Sequence, residues 1–179
     1  MKFTFNLTEQ DYLDFNMFTV KNYPFYIKRK KLFRIIFAVI PFGTALVFWL
    51  LEGAKRNRVD FIVGILVTMV LLSILFWFGF PKYFDATVLR NAKKVLSFKG
   101  GKNNILGERS LFFEEGAIRT VTEYEESSIQ YRAITEIKQS EKAVYLYTAP
   151  MMALILPLRV FADEAERQLC MDFIHAKLR

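Results

Sequence analysis

His175 and Cys170 are the side chains with the most chemistry to offer, and they lie near the end of the chain in what reads as its last helix. A zinc site needs three or four N and S ligands at fixed spacing, and this sequence holds one histidine and one cysteine. A nucleophilic cysteine needs a general base held beside it, and no residue pattern supplies one. His175 therefore reads as a surface histidine and Cys170 as a small core residue. A lone cysteine forms no internal bridge, which suits the reducing side of a membrane. Gly100-Gly101-Lys102 lacks the spacing and the Ser/Thr of a phosphate-binding loop. Glu123, Glu125 and Glu126 are too few oxygens for calcium and read as a solvated turn. Arg159 is retained as a cation near the end of a sheet. No catalytic, cofactor-binding or metal-ligating constellation emerges, so the expectation is a protein that is not an enzyme.

The residues that do suggest a function are basic and clustered. Lys28, Arg29, Lys30, Lys31 and Arg34 form one group, and Lys82, Arg90, Lys93 and Lys94 a second. The chain carries a net charge of +7, yet residues 103–179 hold more acidic than basic side chains. The basic excess is confined to the segments around two apolar blocks. A nucleic-acid footprint would cluster on the globular part, so nucleic acid is not expected as a partner. Anionic lipid headgroups are, with each basic residue near the surface contributing roughly 1 kcal/mol. For the second group, a plain cytoplasmic stalk whose charges only enforce topology is the equal alternative.

The apolar blocks explain the placement of those charges. Phe61–Phe80 contains no charged residue, and Phe33–Leu51 is broken only by Arg34 and Pro41. A helix rising about 1.5 Å per residue needs about 20 apolar residues to cross a hydrocarbon core. Both blocks are expected to span the membrane, with Arg34 snorkelling to the headgroups and Trp49, Trp77 and Tyr83 in aromatic belts. Lys55, Arg56 and Arg58 in the connecting loop are offset by Glu52 and Asp60, whereas the outer flanks carry more Lys and Arg. Both termini are therefore expected on the cytoplasmic side of a multi-pass protein of the bacterial cell membrane.

The chain divides into an N-terminal arm (1–31), a transmembrane hairpin (32–81), a basic amphipathic linker helix (82–102) and a C-terminal domain (103–179). In the arm, KFTFNL alternates like a strand, and Thr8 opens a helix that ends before Pro24, with Tyr12, Phe15 and Thr19 along one face. Docking on the C-terminal domain and lying on the membrane both fit that face. In the linker, Phe84, Val88, Ala92 and Val95 recur at helical spacing. Gly100 to Asn104 mark a flexible boundary. Beyond it, strands are expected at Arg109–Glu114, Ala117–Thr122, Ser128–Tyr131, Ile134–Lys138, Val144–Thr148 and Met152–Leu156, followed by a helix from Asp163 burying Leu169, Phe173 and Ile174. KFTF would supply a seventh strand.

Asn104-Ile105-Leu106-Gly107, Leu111 to Gly116, Tyr145-Leu146-Tyr147 and Ala153 to Phe161, together with Leu7 to Tyr12, resemble the YcxB-like family of bacterial two-helix membrane proteins. The resemblance implies a C-terminal domain similar to pleckstrin-homology (PH) domains, an antiparallel barrel or sandwich closed by a C-terminal helix, and no catalytic residues. The expected fold is thus a membrane α-helical hairpin with a cytoplasmic α+β domain. The expected function is a binding module presented to the membrane surface, to another membrane protein or to a second copy of the chain. The alternative is self-protection (immunity) against a membrane-active peptide or toxin.

Overall fold

The computed structural model describes residues 1–52, 59–98 and 105–178, with side chains outside the description at 48, 49, 51, 52 and 59–61. The loop basics Lys55, Arg56 and Arg58, the Gly100–Asn104 boundary and the Trp49 side chain lie outside the described residues. In order, the elements are β1 (Lys2–Leu7), α1 (Glu9–Asn22), α2 (Pro24–Glu52), α3 (Val59–Ser97), β2 (Gly107–Phe113), β3 (Ala117–Thr122), β4 (Glu126–Gln130), β5 (Glu136–Gln139), β6 (Ala143–Ala149), β7 (Met152–Pro157) and α4 (Glu164–Lys177). The chain divides into two compact units, one formed by Met1–Thr19 with Leu89–Arg179 and the other by Val20–Val88. The first unit is wider than the 103–179 expected, because it takes in the N-terminal arm and the last turns of α3.

The first unit holds two antiparallel sheets, a four-stranded one in the order β1-β2-β3-β4 and a three-stranded one in the order β5-β6-β7. The alternation of KFTFNL determines how β1 sits: Phe3, Phe5 and Leu7 are buried and Lys2, Thr4 and Asn6 exposed. It pairs with β2 from Lys2↔Phe112 to Leu7↔Gly107, so the expected seventh strand is present. Gly107 opens β2 at φ +111°, a backbone angle that residues with a side chain rarely adopt. Glu115-Gly116 turns β2 into β3 as expected, with the Glu114 amide donating to the Ala117 carbonyl at 3.1 Å.

Two strand assignments shift. Tyr131 and Ile134, expected in strands, open and follow a 3-10 turn at Tyr131–Ala133 instead. Tyr131 serves as an anchor there, its hydroxyl donating to the Glu114 carbonyl at 2.9 Å and its ring meeting Phe173 edge-on. Burial pushes its pKa up to about 12. The chain changes sheets at this turn, which a continuous strand would not allow.

In β6, consecutive residues Ala143 to Tyr147 are all buried, so both faces of the strand are covered. Tyr145 and Tyr147 share one face, and α1 covers it. Phe15 lies 5.5 and 5.9 Å from those rings, and Phe18 lies 4.9 Å from Tyr145. The fully buried Thr19 hydroxyl meets the Tyr147 hydroxyl at 2.6 Å. Of the two placements open to this helix, docking on the sheet is the one found. Thr8 and Asp11 cap it reciprocally, the Asp11 amide donating to Thr8 Oγ1 at 3.2 Å and the Thr8 amide to Asp11 Oδ2 at 2.8 Å.

The terminal helix α4 begins at the expected cap, with the Glu166 amide donating to Asp163 Oδ1 at 2.8 Å. Its buried face agrees with expectation at Cys170 and Ile174 and differs at Leu169. Leu169 is 66% exposed, while Cys170 and Ile174 are fully buried. A rotation of about 100° separates neighbouring helical positions, and the smaller Cys170 is the one turned to the core. Burial pushes its thiol up to about 11. A similar correction applies at the end of α3, where Ala92 and Leu96 are buried and Val95 is exposed.

In the second unit α2 and α3 run antiparallel. Phe37 lies 6.1 Å from Phe76 and 5.1 Å from Phe80, and Phe33 lies 6.4 Å from Phe80. The expected second span and linker helix are one continuous helix, Val59–Ser97, with Pro81 inside it. Proline lacks an N–H, so the carbonyl four residues earlier, that of Trp77, loses its helical donor. Arg34 Nε replaces that donor at 2.9 Å. Ser73 likewise bonds the Ala38 carbonyl across the pair at 2.8 Å, beside the turn that Pro41 interrupts. Among the described residues, one helix is long and apolar enough to cross a membrane. It is the Ile62–Ser97 stretch of α3, with a mean hydropathy of 2.5 in its most apolar part.

Candidate functional site

The inner face of the four-stranded sheet follows from strand alternation. Leu111 and Phe113 point inward on β2, Ile118 and Thr120 on β3, and these are buried. Arg109 has the same phase as Leu111 and Phe113 and therefore points inward too. Register sets Arg109 opposite Thr122 and Leu111 opposite Thr120, which makes Arg109 and Thr120 diagonal neighbours on one face. Thr120 in turn lies opposite Ser127 of β4.

Arg109, Thr120, Thr122 and Ser127 line a cleft of about 420 Å³ in the first unit, closed on its other sides by Leu7, Phe15 and the β6–β7 hairpin at Thr148, Met151 and Met152. Arg109 donates from Nη2 to the Ile105 carbonyl. Its Nε and the Thr120 hydroxyl are buried with no hydrogen-bond partner among the described residues. Burial pulls the Arg109 pKa down. Met151, on the cleft wall, has φ +66°, a left-handed conformation that disfavours any residue with a Cβ. The arrangement can bind; it contains no paired acid and base. Among the described residues no group of His, Cys, Asp or Glu side chains is placed to hold a metal ion.

Residues 113–174 match the model of the YcxB-like protein family. That segment contains Tyr145-Leu146-Tyr147, Ala153 to Phe161 and part of Leu111 to Gly116, while Leu7 to Tyr12 and Asn104 to Gly107, which also carry the resemblance, lie outside it. Comparisons with curated proteins and with solved structures each found no match. The YcxB-like segment supplies Thr120, Ser127, Met151 and Met152 to the cleft. Arg109, Leu7 and Phe15 come from outside it, so the cleft is completed by residues N-terminal to the matched region.

Sequence reasoning passed over Arg109 and Thr120. The available signal was that Arg109 falls on the apolar phase of R-S-L-F-F, where a charge is out of place. Arg159, retained as a cation near the sheet end, is fully engaged. It donates to Asp11 Oδ1 and Oδ2 at 2.7 and 2.6 Å and to the Asn6 carbonyl at 2.9 Å, clamping the arm. Lys142 adds a bond to Asp14 Oδ2 at 2.8 Å. Burial works against the Asp11 carboxylate, but hydrogen bonds from Arg159 and Thr8 outweigh it and hold its pKa below the ordinary value. A depressed carboxylate pKa stabilises the fold above the unfolded value and loses that contribution as pH falls through the folded one. Asp11→Asn is expected to cost about 1 kcal/mol at pH 7, a charge-assisted bond discounted for the exposure of Arg159. Denaturation of the full chain should find the gap to wild type closing below about pH 4. A gap that keeps its pH 7 size down to about pH 2 would assign the cost to packing.

The expected lipid-contact residues fall into two sets. Lys28, Arg29 and Lys31 on α2 and Lys82 on α3 are exposed, as are Arg90, Lys93 and Lys94 on the last turns of α3. Lys30 and Arg34 are engaged between the helices instead. Lys30 Nζ pairs with Asp85 Oδ1 at 2.5 Å, and the Arg34 guanidinium lies 3.9 Å from the centre of the Trp77 ring.

Proposed function

We propose that the chain is a non-enzymatic, membrane-anchored binding protein. In this reading α2 and α3 cross the bacterial cell membrane as a hairpin with both termini cytoplasmic. The two-sheet unit is a PH-like module held near the headgroups. The observation that carries it is α3 itself. Its apolar stretch is exposed along its length, at Val67, Leu71, Leu75 and Phe78 among others, and then meets Lys82 and Tyr83. A side chain of this kind is stable facing hydrocarbon and costly facing water.

Length supports the same reading. The 39 residues of α3 extend about 58 Å, roughly twice the hydrocarbon thickness. Its C-terminal part therefore projects beyond the bilayer, carrying Arg90, Lys93 and Lys94 to the headgroup side. Seven strands in two antiparallel sheets followed by a terminal helix are the arrangement expected of a PH-like module. Exposed basic residues at both cytoplasmic flanks suit anionic lipid, with another membrane protein or a second copy as further partners of the same surface.

Cysteine accessibility tests the topology. Cys170 is buried and its thiol is pushed up to about 11, so it stays silent. Asn57→Cys should react with a membrane-impermeant thiol reagent in intact cells. Glu123→Cys should react only after permeabilisation. Labelling of both in intact cells, or of Glu123→Cys alone, would overturn the hairpin.

A further inference from the structure

The cleft wall carries two buried hydrogen-bond donors that find no acceptor. Thr120 is 7% exposed and its hydroxyl is unpaired, and Arg109 Nε is enclosed beside it. No ion pair among the described residues includes Arg109. Folded proteins rarely leave such groups unmatched, and least of all a guanidinium. A strained backbone stands at the same place, since Met151 lines the cleft at φ +66° after Pro150. Glycine would fill that turn position without strain; methionine instead contributes a flexible apolar wall.

We propose that this cleft binds a carboxylate bearing a short unbranched apolar chain, its oxygens accepting from Arg109 Nε and the Thr120 hydroxyl. The chain lies against Phe15, Ile129, Met151 and Met152. A planar guanidinium matches a carboxylate in shape and charge. One arginine supplies one positive charge, and Glu125 also lines the cleft, so a doubly charged phosphate monoester is disfavoured. The volume of about 420 Å³ lies at the small end of ligand sites. The inference deepens the binding-module reading but depends on the folded unit alone, so it stands or falls separately from the membrane topology.

The test uses the full chain in nanodiscs of zwitterionic lipid, with methionine methyl groups labelled with carbon-13 and assigned by Met→Leu exchange. Sodium hexanoate should shift the Met151 and Met152 methyl signals saturably. Hexanol, with the same chain and no charge, should bind at least tenfold more weakly, and hexyl phosphate no more tightly than hexanoate. Arg109→Gln should weaken hexanoate at least tenfold. Thr120→Val removes only the hydroxyl and keeps the shape, and it should weaken binding at least threefold; this arm holds even if Arg109→Gln fails to fold. Arg119→Gln, on the outer face, should change nothing. Equal binding of hexanol and hexanoate, or wild-type affinity in Thr120→Val, would overturn the proposal. Tenfold tighter binding of hexyl phosphate would overturn the carboxylate assignment in favour of a phosphate monoester.

Discussion

Deleting residues 1–7 is expected to unfold the two-sheet unit rather than trim it. Strand β1 buries Phe3, Phe5 and Leu7, and Phe3 meets Phe113 and Phe161 edge-on at 5.8 and 5.2 Å. Three such side chains contribute about 5–9 kcal/mol at roughly 1.5–3 kcal/mol each. A typical domain has only about 5–15 kcal/mol in total. The deletion also strips the paired edge of β2, and the N-terminal amine loses the Phe113 carbonyl at 3.2 Å. Limited proteolysis of the full chain in detergent should find residues 105–178 resistant and become labile once the strand is gone. The truncated chain begins at Thr8 and keeps the α1 cap, so a loss of resistance reports the strand itself. Unchanged resistance would mean that β1 adds nothing to the core.

The second large effect lies between α2 and α3. Arg34→Ala leaves the Trp77 carbonyl without a donor, because Pro81 cannot supply one. In the proposed membrane-spanning hairpin an unpaired carbonyl costs several kcal/mol, and the cation over the Trp77 ring is lost with it. We expect a destabilisation of about 2–4 kcal/mol on that basis, read as a lower thermal midpoint of the full chain in a fixed detergent. Pro81→Ala restores the helical N–H. In that background Arg34→Ala should cost about 1 kcal/mol, the ring contact alone. An equal cost in both backgrounds would show that the carbonyl is not what Arg34 serves.

What sequence alone determined was local. Alternation in KFTFNL specified a strand and its buried face, because side chains on a strand alternate strictly. Glu115-Gly116 specified a turn, Thr8 and Asp163 specified helix starts, and the uncharged run from Phe61 to Phe80 specified an apolar helix. Each of these depends on residues within a few positions of one another.

The tertiary structure decided whatever depended on distant partners. The apolar face of α1 suits a sheet or a bilayer equally, and it is settled by Tyr147, 128 positions from Thr19. Pro81 marks a helix end by its own chemistry, and it is carried inside α3 because Arg34, 43 positions before Trp77, takes the carbonyl that Pro81 leaves open. Leu169, Cys170 and Ile174 are all suited to a core, and packing alone decides that Cys170 and Ile174 are buried while Leu169 is left 66% exposed. For Arg109, alternation gave the direction, inward with Leu111 and Phe113. That it lines the same cleft as Thr120, walled by the β6–β7 hairpin, depends on how two sheets face each other, and no local pattern encodes that.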